Sequence, residues 1–167
     1  MIHLEIQMEP SLGELFAAVI AKMLDRLKDS LPRPIQEPSD PELASFWSED
    51  LRAQLREDGT QLRELLQHPH FGQNVIELTD DKAEAICRSA SAVRLALREI
   101  ELGEVPDEAL EAGMVEPDQL SAAVRPAYFC YWFLGGLQEM VIQALDPEDA
   151  EEEEDNDDAP ENAPEEG

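Results

Sequence analysis

Three residue types in this chain could do chemistry: histidine, cysteine and a spaced row of arginines. His68 and His70 flank Pro69 in the run His-Pro-His-Phe-Gly, and His3 lies near the start. Two imidazoles so placed could face one metal ion and, with nearby carboxylates, support a metal-assisted hydrolysis. Zinc sites, however, use three or four ligands at recognisable spacing, and neither His-Glu-x-x-His nor Cys-x-x-Cys occurs. The histidines therefore read as exposed turn residues, with no metal assigned. Cys87 and Cys130 read as small, buried apolar groups. A thiol–disulfide switch between them would need α-carbons within about 7 Å. No Gly-x-Ser-x-Gly elbow, phosphate loop or dinucleotide fingerprint is present, so neither a catalytic residue nor a cofactor is expected.

Arginine is the most suggestive type. Arg52 and Arg56 are four apart and Arg63 is seven further on, so one helical face could present all three. Arg94 and Arg98 form a second pair. Forked guanidinium groups on a face suit a carboxylate or phosphate of a partner. The competing expectation is local pairing with acids, as between Glu84 and Arg88.

Charge bounds the possible partners. The 167 residues hold 39 acids and 12 bases, a net charge of −27. Direct nucleic-acid binding is excluded, because phosphate neutralisation needs a basic footprint. Asp146 to Gly167 holds 13 of the acids and no base, which leaves residues 1–145 at −14. That last stretch has nothing to bury and repels itself, so 146–167 reads as a disordered acidic tail after a 1–145 helical domain. It serves as a solubilising spacer or, in a variant reading, folds back on Arg52, Arg56 and Arg63. No run of about 18 apolar residues marks a membrane span, and the opening residues do not resemble a signal peptide. Two cysteines give no disulfide framework, which fits a cytoplasmic location.

The elements that must position these residues follow from periodicity. Ile2, Leu4, Ile6 and Met8 alternate as in a half-buried strand, with Asn74 to Leu78 as its partner. Ser11 to Glu14 reads as a capping box for a helix to about Ser30, striped by Phe16, Ile20, Met23, Leu24 and Leu27. A linker with Pro32, Pro34 and Pro38 follows. Asp40 then caps a helix from Pro41 to about Glu57, with Leu43, Phe46, Trp47, Leu51 and Leu55 inward. Asp58-Gly59 reads as a break before a short helix from Thr60. Thr79-Asp80-Asp81 opens a central helix whose apolar set runs from Ala83 to Ile100. One turn is expected at Asp107–Glu111. The last helical region begins near Asp118, is interrupted or kinked at Pro126 and ends at Leu145, buried nearly all round by its five aromatics. The fold class is mainly α, a helical bundle with a minor two-stranded N-terminal β element.

Four blocks of this pattern resemble an uncharacterised bacterial family of unknown function, common in actinobacteria and often encoded beside the ClpS adaptor. They are the opening Ile2-His3-Leu4-Glu5-Ile6, Asp40-Pro41-Glu42-Leu43-Ala44, the helix Ala92-Val93-Arg94-Leu95-Ala96-Leu97, and Tyr131-Trp132-Phe133-Leu134-Gly135-Gly136-Leu137-Gln138-Glu139. The last is similar to a Tyr-x-Trp-Leu-Gly-x-Leu-Gln-Glu terminal helix. Ser45-Phe46-Trp47-Ser48 departs from the family, which commonly has Arg-Leu-Leu-Pro there. The resemblance implies a cytoplasmic regulatory protein with no established catalytic chemistry.

Together these readings predict a non-enzymatic interaction protein, a regulator or adaptor with a protein partner and no membrane contact. Arg52, Arg56, Arg63 and Arg94 are the candidate partner-binding residues. A homodimer is compatible with the pattern. A transcription-linked regulator or acidic nucleic-acid mimic, and the histidine-dependent hydrolase, are the alternatives.

Overall fold

A computed structural model describes residues 1–29 and 39–147. The proline linker around Pro32, Pro34 and Pro38, and the acidic tail beyond Pro147, lie outside the described residues. The alternation at the N-terminus forms β1 (Ile2–Glu5), which pairs antiparallel with β2 (Val75–Leu78), Ile2 opposite Leu78 and Leu4 opposite Ile76. These four side chains are buried, while His3, Glu5, Val75 and Glu77 face out, as the two-residue side-chain period requires. Two helices, α1 (Pro10–Asp29) and α2 (Pro41–Leu66), separate the strands in sequence.

Helix α1 begins with Pro10 itself, which has no amide hydrogen to leave unpaired at that position. The Glu9 carbonyl accepts the amides of Leu12 and Gly13, and Ser11 and Glu14 lie within the helix instead of capping it from outside. Its stripe of Phe16, Ile20, Met23, Leu24 and Leu27 is buried. Asp40 caps α2 as its sequence predicts, its carboxylate accepting the Glu42 amide at 2.9 Å.

The predicted break in α2 is absent. Asp58 and Gly59 are buried in one continuous helix of 26 residues. A Cβ at Gly59 would stand 3.0 Å from the Leu24 side chain, so the glycine lets α1 approach α2. The aspartate is held by a partner on the next helix. Glycine costs a helix about 1 kcal/mol relative to alanine, which close packing offsets. The inward placement of Leu43, Phe46, Trp47 and Leu51 is also corrected. All four are exposed, Phe46 at 74%. The first half of α2 buries none of its side chains, and its apolar face extends beyond the core.

Helix α3 (Asp80–Ile100) packs against both α2 and α5 (Arg125–Leu145) and touches α1, so it is the central helix. Thr79 precedes it without a side-chain capping bond, and Asp80 and Asp81 occupy the dipole-favoured first turn. The short α4 (Asp107–Glu111) follows, then a 3-10 turn at Pro117–Gln119. Pro126 lies in the first turn of α5 and does not interrupt it, because proline is well placed where amides have no intrahelical acceptor. Nor is α5 buried all round. Tyr128 and Tyr131 are buried, Phe129 and Trp132 are 40% exposed, and Phe133 packs on Phe16 with ring centroids 4.9 Å apart. Gly72 is a left-handed residue at φ 79°, tucked where the Met8 amide donates to its carbonyl.

Candidate functional site: a basic groove between α1 and α2

Antiparallel packing of α1 on α2 brings positive side chains from both helices to one depression. Arg52, Leu55, Arg56, Gly59, Thr60 and Arg63 on α2 face Leu24, Leu27 and Lys28 on α1 around a volume of about 220 Å³. The three candidate arginines therefore line one depression, because unbroken α2 keeps their spacing in phase. Its lining combines the leucine side chains with the cationic side chains of Arg52, Arg56, Arg63 and Lys28.

The cations are not equivalent. Asp25 takes Lys28 at 3.0 Å and Arg63 at 2.8 Å. Lys28 first, then Arg63, holds the Asp25 carboxyl below the usual carboxylate range. The Arg56 Nε donates to the Arg52 carbonyl at 3.3 Å, and neither arginine has a carboxylate partner among the described residues. The Arg52 Nε is buried with no acceptor. Buried polar donors almost always find one, so this atom marks a place where an acceptor would be stabilised. The groove is thus a cationic pocket in a domain whose net charge is −14. The residue that sequence reading missed here is Lys28. Its signal was its position next to the buried Leu27 in the last turn of α1.

Arg94 does not join the groove. It leaves α3 toward α5, where its Nη1 donates to Gln138 Oε1 at 3.0 Å and its guanidinium stacks 4.4 Å above the Tyr131 ring. Gly135 leaves room for it, since a Cβ there would touch the guanidinium at 3.5 Å. The Gln138 amide nitrogen also donates to the Cys87 carbonyl and the Ser91 hydroxyl. The motif from Tyr131 to Glu139 is therefore a clasp around Arg94 that joins the two helices. Arg98 is paired with Asp107 and Glu111, and Arg88 with Asp58 and Glu84.

His68 and His70 lie in an exposed turn, where the His70 amide donates to His68 Nδ1, while His3 sits beside Glu77 at 3.7 Å. Among the described residues, no three His, Cys, Asp or Glu side chains group around a common point. Both cysteines are free thiols. Burial pushes the Cys130 thiol up to about 12 and raises Cys87 as well. A thiolate is the reactive species, so a thiol with a raised pKa alkylates slowly. At a pH of about 8, peptide mass spectrometry should find Cys87 modified by iodoacetamide more slowly than a free cysteine. Cys130 should stay unmodified until urea unfolds the chain. Labelling of native Cys130 at the free-thiol rate would mean that α5 opens locally.

What the fold and groove define is a small helical domain with a cluster of basic side chains lining a groove between α1 and α2. The chain belongs to the family described as a domain of unknown function, DUF2017, whose family model matches residues 5–145. No curated protein and no solved structure shows detectable similarity to it. Among the described residues, no helix is long and apolar enough to cross a membrane.

Proposed function

We propose that this protein is a non-enzymatic, cytoplasmic regulator or adaptor that holds an anionic segment of a protein partner in the α1–α2 groove. The observation that carries this reading is the convergence of Arg52, Arg56, Arg63 and Lys28 on one apolar-walled depression in an acidic domain. Arginine forks match carboxylate and phosphate geometry, and the leucine wall would seat the aliphatic part of the same segment. A gene neighbourhood shared with the ClpS adaptor, implied by the family resemblance, suits a role in regulated proteolysis. Repulsion from the rest of the surface would reject acidic partners that cannot reach the groove.

Affinity capture from a lysate of the native host tests this, comparing the full chain with an Arg52→Gln/Arg56→Gln variant. Arg98→Gln serves as control, since Arg98 is already occupied by Asp107 and Glu111. A stoichiometric partner retained by the wild type and the control but lost by the double variant is the expected result. Equal retention by all three chains would move the interface off the groove.

A further inference from the structure

We infer that the acidic C-terminal segment of the same chain, through the run Glu151-Glu152-Glu153-Glu154-Asp155, occupies the α1–α2 groove and competes there with the partner's anionic segment. The inference rests on the groove being an anion-docking site. It adds what regulates that site.

Charge complementarity is the first support. Arg52 and Arg56 are the groove cations with no carboxylate among the described residues, and Asp25 is shared between Lys28 and Arg63. The run from Glu151 to Asp155 is five consecutive carboxylates, without a base anywhere from Asp146 onward to cancel them. The buried Arg52 Nε lacks an acceptor that any one of these side chains could provide. Reach is the second support. Glu151 to Asp155 lie four to eight residues beyond Pro147, which lets them stand about 13–26 Å from it when extended, at about 3.3 Å per residue. A domain of this size has a radius of gyration of about 15 Å, so that span is comparable with the dimensions of the bundle.

Tethering is the third support. A segment joined to the domain through a short chain acts at an effective concentration of about a millimolar. A weak, purely electrostatic contact therefore suffices for high occupancy at low salt, and it fades as the Debye length shortens. A partner with both an anionic and an apolar portion outcompetes the tail, because the run from Glu151 to Asp155 has no apolar side chain to place against Leu24, Leu27 and Leu55. The tail then acts as a selectivity filter, displaced by segments that use the whole groove and not by stray anions.

The test uses the full chain and a full-length variant with Glu151, Glu152, Glu153 and Glu154 changed to Gln and Asp155 to Asn. The probe is a fluorescent synthetic peptide of residues 148–158, followed by anisotropy at salt of about 25 mM and about 300 mM. The neutralised chain should bind the peptide about tenfold more tightly than the wild type at low salt, the two converging at high salt. Arg52→Gln/Arg56→Gln in the neutralised background should abolish that binding. If wild type and neutralised chains bind equally, and the arginine variant loses binding, the tail does not occupy the groove although the groove still docks anions. If the neutralised chain does not bind, the docking reading itself fails. Competition in the wild type that strengthens with protein concentration would assign the tail to a second copy and overturn the intramolecular arrangement.

Discussion

Leu134→Ala is expected to destabilise the domain by about 3–4 kcal/mol, more than a typical single substitution. Leu134 is 0% exposed near the middle of α5, in a core shared with α3, α1 and β1. Truncation removes the transfer free energy of three carbons and leaves a cavity that two rigid helices cannot collapse into. The Arg94 clasp adds to that rigidity, since Gly135 and Gln138 fix α5 in register with α3 on either side of Leu134. Urea unfolding followed by circular dichroism checks this, with Leu95→Ala as reference. Leu95 lies on α3 but is 47% exposed, and its loss should cost less than about 1 kcal/mol. Equal effects at the two positions would mean that the α3–α5 contact is looser than described.

The second large effect is expected at Arg88. Its Nε and Nη2 reach the two oxygens of Asp58 at 2.9 and 3.0 Å, a bidentate bond across α2 and α3. Asp58 is 4% exposed, whereas Arg88 is half exposed with Glu84 as a further partner. The asymmetry decides the outcome. Removing the arginine strands a buried carboxylate, a loss that reaches about 3–5 kcal/mol for fully buried pairs. Water reaching the exposed Arg88 end brings the expectation for Arg88→Met down to about 2–3 kcal/mol. Asp58→Asn/Arg88→Met should recover part of that loss, because an amide tolerates burial better than an unpaired charge. A thermal double-mutant cycle giving a coupling of more than about 1 kcal/mol is the expected result. A single-variant loss below about 0.5 kcal/mol would show that the carboxylate is satisfied without Arg88.

The groove arginines themselves should behave differently from these two sites. Arg52 and Arg56 bridge no elements through a carboxylate, so their substitution is read out in binding and not in unfolding. A change at Arg88 or Arg94 would be read out in unfolding, since both join helices. Arg94 in particular stacks on Tyr131 and bonds Gln138, which makes it part of the helix-to-helix contact.

By itself, the sequence determined the elements whose signals are local. Alternation over Ile2 to Ile6, the Asp40-Pro41 start of α2, the Asp80-Asp81 start of α3 and the turn at Asp107–Glu111 depend on side-chain period and on unpaired helix-end amides. Those act within a few residues, and they are readable there. The in-phase spacing of Arg52, Arg56 and Arg63 was legible for the same reason. Only tertiary structure decided the rest. Gly59 and Asp58 look like a break because their local cost is visible and their compensations, Leu24 and Arg88, lie far away in sequence. Periodicity marks Phe46 and Trp47 as one face of a helix, but burial requires an opposing element, and both side chains are left exposed. Arg94 and Arg52 are the same residue type on helical faces. One meets Tyr131 and Gln138 and becomes a clasp, while the other meets Lys28 and a leucine wall and becomes part of a groove. Which of these an arginine does depends on the helix packed against it, and helix pairing is a property of the assembled core.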